Sequence, residues 1–559
     1  MSKMSPTLSQ MKAGIRPIVA ACLLVAGLVA GPAGPAAGQG LNGHLVDARW
    51  LEQNLANPNL LLLDASPGSM FAAQHIPGAV SVDFMVYGGQ EKPLAEWERL
   101  YQSWGVSPGK TIVLYDQGGT YMATRVFYSL HYHGVPANDL FILDGGLAKW
   151  LEAARPVTKD VAPAKPGTFK VTAANEDIRV RLPAFLDASG DPANHVLLEA
   201  LGPDWHFGET APFGRPGHPP HGVMLPSADL FNPDKTFKSP EELRRMLGYL
   251  DVRADQEVYT YCGGGVAASA PFFALKFILG YPKVKMFIES ELGYLADERQ
   301  LPHWTYDAPF LMRDTVWLQA WGGQMIRTYV GAPVSVVDLR PAEAYAQGHV
   351  PFALNIPAEV FRDHVRAPQQ LAAVLGPAGV HRAHEAVVVS GAGLTKDAAL
   401  AFLMLEKIGQ QKVSILMDSM ERWTALGYKL TPTPTAVGPK KAARDLSIEP
   451  TSYQPALRKD VLVAAPISTK GLYPKVFVAS GAAVPAGDPG GTVVHVPYTD
   501  LLNADGTPKA AKDIWKILSK AGVPRYAELV CVSDDPGEAA VNYYVLKLMG
   551  YPDVKVLVK

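Results

Sequence analysis

The sequence predicts an α/β fold of four tandem units, each a mostly parallel sheet with helices on both faces. Two observations carry this prediction. A short apolar strand that leads through a loop into a helix occurs four times, and each of these helices ends at a glycine and is followed by a second apolar strand. Strands that alternate with helices pair in parallel, because each helix carries the chain back across the sheet. A chain of 559 residues is also too long for one hydrophobic core.

Each element of the repeat follows from a local pattern. The strands that lead into the loops are apolar runs, predicted at 112–115, 257–261, 386–389 and 528–532. The helices after the loops are predicted at 123–133, 267–279, 397–408 and 538–549. The glycine after each helix is the usual stop signal, because glycine tolerates the left-handed conformation. The second strands are predicted at 140–143, 284–288, 413–417 and 554–558.

An upstream strand and a histidine turn complete the pattern in three of the four units. The strands are predicted at 61–64, 196–199 and 336–340, and the His-x-Pro turns begin at His75, His218 and His349. Only one of these three units has a cysteine at its loop, so we expect a structural role for the repeated histidine. The predicted domain boundaries are 41–158 for unit 1, 178–306 for unit 2, 311–431 for unit 3 and 455–559 for unit 4.

The N-terminal segment 1–38 is predicted to be a signal peptide. Lys3, Lys12 and Arg16 precede an apolar stretch at 17–30, and small residues follow it, as in cleavable secretory signals. We therefore expect an exported protein, periplasmic or secreted, with no stable membrane insertion after the signal is removed. An uncleaved membrane anchor is the alternative.

Composition limits the class of partner. The formal net charge of -2 offers no basic surface for nucleic acid, so we expect no nucleic-acid partner. Removal of the signal leaves only Cys262 and Cys531, too few for a disulfide framework. His218 and His221 are separated by two prolines and have no cysteine partner, so we predict no metal site and no cofactor.

The loop after the second unit's strand predicts a thiolate site. It begins at Cys262 and continues with Gly263, Gly264, Gly265, Val266 and Ala267. Glycines let successive backbone N–H groups point at one atom, and the N-terminus of the following helix adds partial positive charge. Both effects favour the anionic sulfur over the neutral thiol, as a nucleophilic or sulfur-carrying cysteine requires.

Three motifs together resemble a known family. They are the His-Ile-Pro-Gly-Ala turn at 75–79, the Leu-Asp-Gly-Gly segment at 143–146 with Trp150, and the six-residue loop at 262–267. The sequence is identified by these motifs as a tandem rhodanese-domain sulfurtransferase. The resemblance implies an inactive unit with Asp116 at its loop head beside an active unit with Cys262. Ser390 and Ser533 then mark two further units without the nucleophile.

The resemblance also implies the chemistry. A small sulfur donor, thiosulfate or 3-mercaptopyruvate, would leave a persulfide on Cys262, and cyanide, a thiol or a thiol protein would remove the sulfur. The backbone of residues 263–267 would bind the substrate. Gly263 and Gly264 stand where thiosulfate enzymes have basic residues, so the loop is closer to the mercaptopyruvate branch. Arg215 is the candidate ligand for a donor carboxylate, and Glu199 replaces the usual Asp at the end of the first strand.

Alternative functions remain open at this stage. The chain could be an exported scaffold or redox sensor in which Cys262 only receives sulfur or oxidant and the other units bind partners. A phosphatase of the same fold would need an arginine where this chain has Ala268, which argues against that reaction. Cys531 lies within a predicted strand, so we expect it to be buried and inert.

Overall fold

The computed structural model describes residues 43–83, 86, 91–161, 164–329, 331, 333–442, 445–465, 470–486 and 490–558. The predicted signal peptide at 1–38 lies outside the described residues. Within the described part of the chain, the helices are all too short or too polar to span a bilayer. The described residues form four sheets, and every strand pair in these sheets is parallel, which confirms the predicted α/β class.

The first sheet has five strands in the order β1-β5-β4-β2-β3. The strands are β1 Leu45–Val46, β2 Leu60–Asp64, β3 Val80–Ser81, β4 Thr111–Tyr115 and β5 Leu140–Leu143. The helices are α1 Ala48–Asn54, α2 Gly68–Ala73, α3 Leu94–Ser103, α4 Met122–Tyr132 and α5 Gly146–Glu152. Apolar side chains cover both faces of this sheet, as expected for a parallel sheet with helices on each side.

The second sheet has four strands in the order β7-β6-β8-β9. The strands are β6 His195–Glu199, β7 Gly222–Met224, β8 Glu257–Tyr261 and β9 Val284–Met286. The helices are α6 Leu182–Ser189, α7 Pro203–His206, α8 Pro240–Tyr249, α9 Ser269–Phe273 and α10 Ser290–Leu295. The predicted helix 267–279 begins two residues late and continues beyond α9 as a π-helical turn, Ala274–Ile278, a form that often marks functional sites.

The third sheet repeats the order of the first, as β10-β14-β13-β11-β12. Its strands are β10 Met312–Arg313, β11 Val334–Asp338, β12 Ala353–Asn355, β13 Glu385–Val389 and β14 Lys412–Leu416. Its helices are α11 Thr315–Gly322, α12 Gln324–Tyr329, α13 Ala342–Gln347, α14 Ala358–Asp363, α15 Ala372–Leu375, α16 Lys396–Lys407 and α17 Met420–Ala425.

The fourth sheet has the same order, β15-β19-β18-β16-β17. Its strands are β15 Leu462–Val463, β16 Lys475–Ala479, β17 Thr492–His495, β18 Glu528–Val532 and β19 Val554–Leu557, and its helices are α18 Ala511–Lys520 and α19 Pro536–Leu548. Strand β16 is the upstream strand of unit 4, where the sequence analysis predicts none. The sequence pattern does not indicate it, because no His-x-Pro turn follows it.

The four units pack as two pairs. One continuous core joins units 1 and 2, and a second joins units 3 and 4. In the first pair, helices α4 and α9 meet through aromatic side chains, with ring centroids 5.0 Å apart for Phe127 and Phe273. The equivalent helices of the second pair, α16 and α19, meet through Phe402 and Tyr544 at 4.9 Å. We call the loop headed by Asp116, Cys262, Ser390 or Ser533 the central loop of its unit. In each pair, the helices that follow the two central loops are therefore buried against each other.

A matching turn joins the members of each pair. In unit 2 the N–H of Asn232 donates to the carbonyl of Thr236, and in unit 4 the N–H of Asn503 donates to that of Thr507, both at 2.8 Å. Lys235, in the turn of unit 2, lies against the loop at Gly118 and Gly119 of unit 1. The turn of unit 4 accepts a hydrogen bond at Gly506 from Leu394 in unit 3. The even-numbered unit thus covers the central loop of its odd-numbered partner in both pairs.

Candidate functional site

Cys262 lies where the sequence predicts it, at the carboxyl end of β8 in the middle of the second sheet. Its side chain is buried, with 2% of the residue exposed. Its N–H donates to the Ser290 hydroxyl at 3.1 Å, and that hydroxyl lies 4.0 Å from the Cys262 sulfur. The N–H groups of Glu291 and Leu292 donate to the carbonyls of Cys262 and Gly263. Helix α10 therefore holds the first two residues of the loop in place.

Two of the three loop glycines are required by close packing. A Cβ on Gly263 would overlap the ring of Phe213, and one on Gly265 would overlap the carbonyl of Ile288. Gly265 also has a φ of 73°, which disfavours other residues. Gly264 is different, because a Cβ there would meet only the mobile end of Leu292, at 3.2 Å. The loop can therefore accept a side chain at position 264 alone among the three.

The loops of units 1 and 2 differ in the hydrogen bonds that their N–H groups make. The N–H groups of residues 263–267 donate no hydrogen bond to any described residue. In unit 1 the Asp116 carboxylate accepts from the N–H groups of Gly118 and Ala123 at 2.8 and 3.0 Å and from the Thr120 hydroxyl at 2.5 Å. The Asp116 carboxylate is thus bonded to its own loop, whereas the N–H groups of residues 263–267 have no such partner among the described residues.

The serine loop heads are also closed by internal hydrogen bonds. The Ser390 hydroxyl donates to the carbonyl of Gly393 at 2.7 Å. The Ser533 hydroxyl donates to the Glu538 carboxylate at 2.6 Å, and Lys396 pairs with Asp535 in the same loop. Ser390 is bonded to a backbone carbonyl and Ser533 to a carboxylate in the first turn of α19, and neither partner is the imidazole that commonly activates a nucleophilic serine.

Unit 1 contributes groups next to the Cys262 loop. The Ser269 hydroxyl at the start of α9 lies 2.9 Å from the Thr124 hydroxyl and 3.3 Å from the Tyr121 carbonyl. Burial lowers the pKa of Arg125, and nearby acidic groups that include Cys262 oppose this shift. A buried guanidinium therefore lies within electrostatic range of the sulfur. Sequence reasoning missed Arg125 because it belongs to another unit.

Beneath the loop, Glu199, His206 and Asp307 form a hydrogen-bonded chain in which Glu199 and His206 are buried and Asp307 is partly exposed. His206 is hydrogen-bonded through Nδ1 to Glu199 and through Nε2 to Asp307, the latter at 2.6 Å. Burial alone would lower the pKa of His206, but the two carboxylates outweigh burial and raise it to about 10. Burial also raises the pKa of nearby Glu291 to about 9. An imidazolium ion between two carboxylates thus takes the place of the Asp expected beneath the loop.

The three His-x-Pro histidines share one geometry. His75 stacks on Phe71, His349 on Tyr345 and His218 on His206, with centroids 3.6 to 3.8 Å apart. In each pair Nδ1 of the turn histidine is hydrogen-bonded to the carbonyl of its stacking partner. The geometry is the same in units with and without a cysteine, which favours the structural role expected for these histidines.

The only group of three metal-binding side chains found among the described residues is Glu199, His206 and His218. Both nitrogens of His206 already bind carboxylates, and its ring lies 2° from parallel to that of His218. Parallel stacked rings direct their lone pairs along parallel lines instead of toward one point. The group therefore fits an ionic chain better than a tetrahedral metal site.

Residues 202–215, which we call the cover segment, bring Phe213 against the Cys262 loop. Phe213 occupies the space above Gly263 and contacts Trp205, with ring centroids 5.4 Å apart. The Arg215 guanidinium donates to the carbonyl of Leu301 at 2.6 Å. The role of Arg215 in donor binding stays a prediction. Phe213 was not foreseen, although an aromatic residue between the first strand and the His-x-Pro turn could have indicated a cover.

Cys531 lies within β18 and is fully buried, as the sequence predicts. Burial raises the pKa of its thiol far above the ordinary range, which keeps it neutral and unreactive. We expect Cys531→Ala to leave the rate of sulfur transfer unchanged while it removes some core packing. Thiocyanate formation by the folded variant measures this. If the Cys531→Ala protein folds but is inactive, the prediction that Cys262 is the single active cysteine is wrong.

Comparisons with known proteins identify relatives of this chain. A family model for the rhodanese-like domain matches residues 47–153 and 324–426, which contain most of sheets 1 and 3. The Thermus thermophilus "Sulfur carrier protein TtuD" is 30% identical over 270 residues, 44% of this chain and 90% of that protein. The "Probable 3-mercaptopyruvate sulfurtransferase" of Pseudomonas aeruginosa is 30% identical over 281 residues, 46% of this chain and 97% of that protein.

Among solved structures, the 3-mercaptopyruvate sulfotransferase SseA from Escherichia coli is 26% identical, with a TM-score of 0.40, over 44% of this chain and 98% of that one. The family assignment depends on the domain matches and the curated relatives. Since two segments match the rhodanese-like domain and the chain spans at least nine-tenths of two relatives at 30% identity, it belongs to the tandem rhodanese-domain family of sulfurtransferases.

Proposed function

We propose that this protein transfers sulfane sulfur through a persulfide on Cys262. The observation that carries the proposal is the contrast between the loops. Among the described loops, the Cys262 loop combines a cysteine at its head with N–H groups that no described residue occupies, whereas Asp116, Ser390 and Ser533 are hydrogen-bonded to their own loops or to the helices that follow. The curated relatives named as a sulfur carrier and a sulfurtransferase support the same chemistry.

The reaction is a double displacement. The Cys262 thiolate attacks the outer sulfur of the donor, the bond between that sulfur and the rest of the donor breaks, and the bonding pair leaves with sulfite or with the enolate of pyruvate. The enolate then takes a proton. An acceptor nucleophile such as cyanide attacks the terminal persulfide sulfur and restores the thiolate. The N–H groups of residues 263–267 stabilise the negative sulfur in both states, and ping-pong kinetics are expected.

We propose 3-mercaptopyruvate, or a neutral or protein-bound persulfide, as the better donor. Residues 263–265 provide no side-chain charge for a thiosulfate dianion. We expect Gly264→Lys to shift the kcat/KM ratio toward thiosulfate by about tenfold, the effect of about 1.4 kcal/mol of added attraction. The structure can accept this change, because only Leu292 lies near position 264 and it is 54% exposed.

The control for this measurement is Gly264→Gln, which adds a long side chain without charge. A shift caused by charge appears in the lysine variant alone. A wild-type protein that already prefers thiosulfate, with a ratio unchanged in Gly264→Lys, would contradict the proposed donor class and favour thiosulfate as the substrate.

The acceptor separates an enzyme from a carrier. The relative named as a sulfur carrier protein favours delivery to a second protein. If the purified chain forms the Cys262 persulfide from a donor and also turns over with cyanide or a small thiol, the sulfurtransferase proposal holds. If the persulfide forms but only a protein acceptor discharges it, the chain is a carrier. We further propose export, on the strength of the N-terminal pattern at 1–38.

We also propose that units 2 and 4 are rhodanese units, although the family model matches only units 1 and 3. The fourth sheet has the strand order of the first and third, and the second has it without the first edge strand. A single parallel bridge between Arg179 and Met286 stands where that edge strand would lie. The stacked histidine turn of unit 2 supports the same assignment.

A further inference from the structure

Unit 4 binds the segment that covers the active cysteine of unit 2. Phe207 belongs to the cover segment, but its side chain packs into the core that joins units 3 and 4 and is 2% exposed. Its ring stacks on Trp515 of helix α18, with centroids 5.6 Å apart and planes 29° from parallel. Burial of a large aromatic side chain in a neighbouring unit makes this a strong point of attachment.

A charged contact lies beside the aromatic one. The Lys516 ammonium, next to Trp515 in α18, is 2.7 Å from the Glu209 carboxylate of the cover segment. Both side chains are partly exposed, so the pair adds little stability. It does fix the orientation of the segment, because the two contacts lie on neighbouring residues of one helix.

The attached end and the covering end of the segment belong to one compact turn. The N–H groups of Glu209 and Thr210 both donate to the carbonyl of Asp204, at 2.8 and 2.9 Å. Trp205, next to Asp204, contacts Phe213, and Phe213 lies over Gly263. A shift at Phe207 or Glu209 is therefore transmitted through this turn to the aromatic cover of the Cys262 loop.

We infer that Trp515, supported by Lys516, is a positioning residue for the site in unit 2. By holding Phe207 it sets how closely Phe213 covers Cys262, and so which donors reach the sulfur. This role gives unit 4 a task in the chain, although its own loop has no cysteine. It rests on the proposed function for its consequence in donor selectivity, but its structural consequence, the accessibility of Cys262, can be measured without turnover.

The test compares Trp515→Ala with Tyr473→Ala in the full-length chain. Tyr473 is also an aromatic contact from unit 4 to unit 2, but it packs on Tyr249 at 5.3 Å and beneath Arg245 at 4.9 Å, on helix α8 instead of the cover segment. The control variant therefore removes a similar contact without releasing Phe207. Phe213→Ala removes the cover itself and marks the effect to be expected from complete release.

The first readout is the rate at which iodoacetamide alkylates the peptide that contains Cys262, followed by mass spectrometry. We expect Trp515→Ala to raise this rate by about fivefold, which corresponds to about 1 kcal/mol of easier local opening, and Tyr473→Ala to leave it unchanged. Equal rates in wild type and in a folded Trp515→Ala protein would overturn the inference. A rise in both variants would show general loosening and overturn it as well.

The second readout is the ratio of kcat/KM for 3-mercaptopyruvate and thiosulfate. We expect Trp515→Ala and Phe213→Ala to change KM and this ratio in the same direction, with kcat altered less. Lys516→Glu should produce a smaller change that Glu209→Lys reverses. If the wild type has no Cys262-dependent activity, the proposed function fails while the alkylation result still decides the inference. An active wild type with identical selectivity in all variants would contradict the positioning role.

Discussion

Cys262→Ser is expected to abolish sulfur transfer, with a loss of at least about a thousandfold, as when the sole nucleophile of an enzyme is removed. A serine hydroxyl cannot form a persulfide, and the three other loop heads offer no replacement. Stability should change little, by about 1 kcal/mol, because the side chains differ by one atom and the Ser290 hydroxyl lies beside position 262. Thiocyanate formation and the mass of the donor-treated protein check both statements.

Cys531→Ala is the matched control for this variant, since it removes the other described cysteine. After treatment with a donor, wild type and Cys531→Ala should each gain one sulfur atom, and Cys262→Ser none. Residual persulfide or turnover in Cys262→Ser would show that the sulfur is carried elsewhere, and the single-site mechanism would have to be abandoned.

Of the substitutions considered, His206→Phe is expected to lower the free energy of unfolding most, by about 3–5 kcal/mol. Phenylalanine occupies the equivalent stacking position in unit 1, at Phe71, so the ring itself can be accommodated. The loss arises because Glu199 and Asp307 would remain without the imidazolium that now lies between them. The unfolding midpoint in urea measures it, and addition of Glu199→Gln to the same chain should restore part of the loss.

The comparison variant is Tyr345→Phe, at the same stacking position in unit 3. It removes a hydroxyl that donates to the Ala353 carbonyl at 2.8 Å but strands no charge, so we expect it to cost about 1 kcal/mol. If His206→Phe costs no more than Tyr345→Phe, the buried ionic chain has been wrongly assigned.

The same chain predicts a dependence on pH. The pKa of His206 is raised to about 10 in the folded protein, above its value of about 6.5 in the unfolded chain. The folded state therefore binds the extra proton between these two values. The stability that His206 contributes is fully present below about pH 6.5 and is lost as the pH rises through about 10. The difference in stability between wild type and His206→Phe should shrink over that range.

Sequence patterns predicted the features that depend on neighbouring residues. Strand β8, the loop head at Cys262 and the buried position of Cys531 follow from short apolar runs, glycines and the helices after them. The ends of elements were less well predicted, as at α9, where a π-helical turn replaces the expected continuous α-helix. That turn packs against helix α4 through Phe277 and Phe127, with ring centroids 4.9 Å apart, and the local sequence does not indicate this contact.

The supporting groups of the site could not be predicted because their partners are distant in sequence. His206 binds Asp307, which lies 101 positions away, and Arg125 approaches Cys262 from another unit. Glu199 did indicate an altered network beneath the loop, but no local pattern identifies His206 and Asp307 as its other members. Phe213 belongs to a segment that also contacts unit 4 through Phe207 and Trp515, and no local pattern indicates that contact.

The pairing of the units has an evolutionary consequence. The shared core and the covering turn join unit 1 to unit 2 in the same way as unit 3 to unit 4. Repeated duplication of a single unit would not by itself generate this alternation, whereas duplication of a two-unit ancestor reproduces it in one event. Ser533 in unit 4 then corresponds to Cys262 in unit 2. The two pairs therefore differ at this loop head, one with a thiol and the other with a hydroxyl.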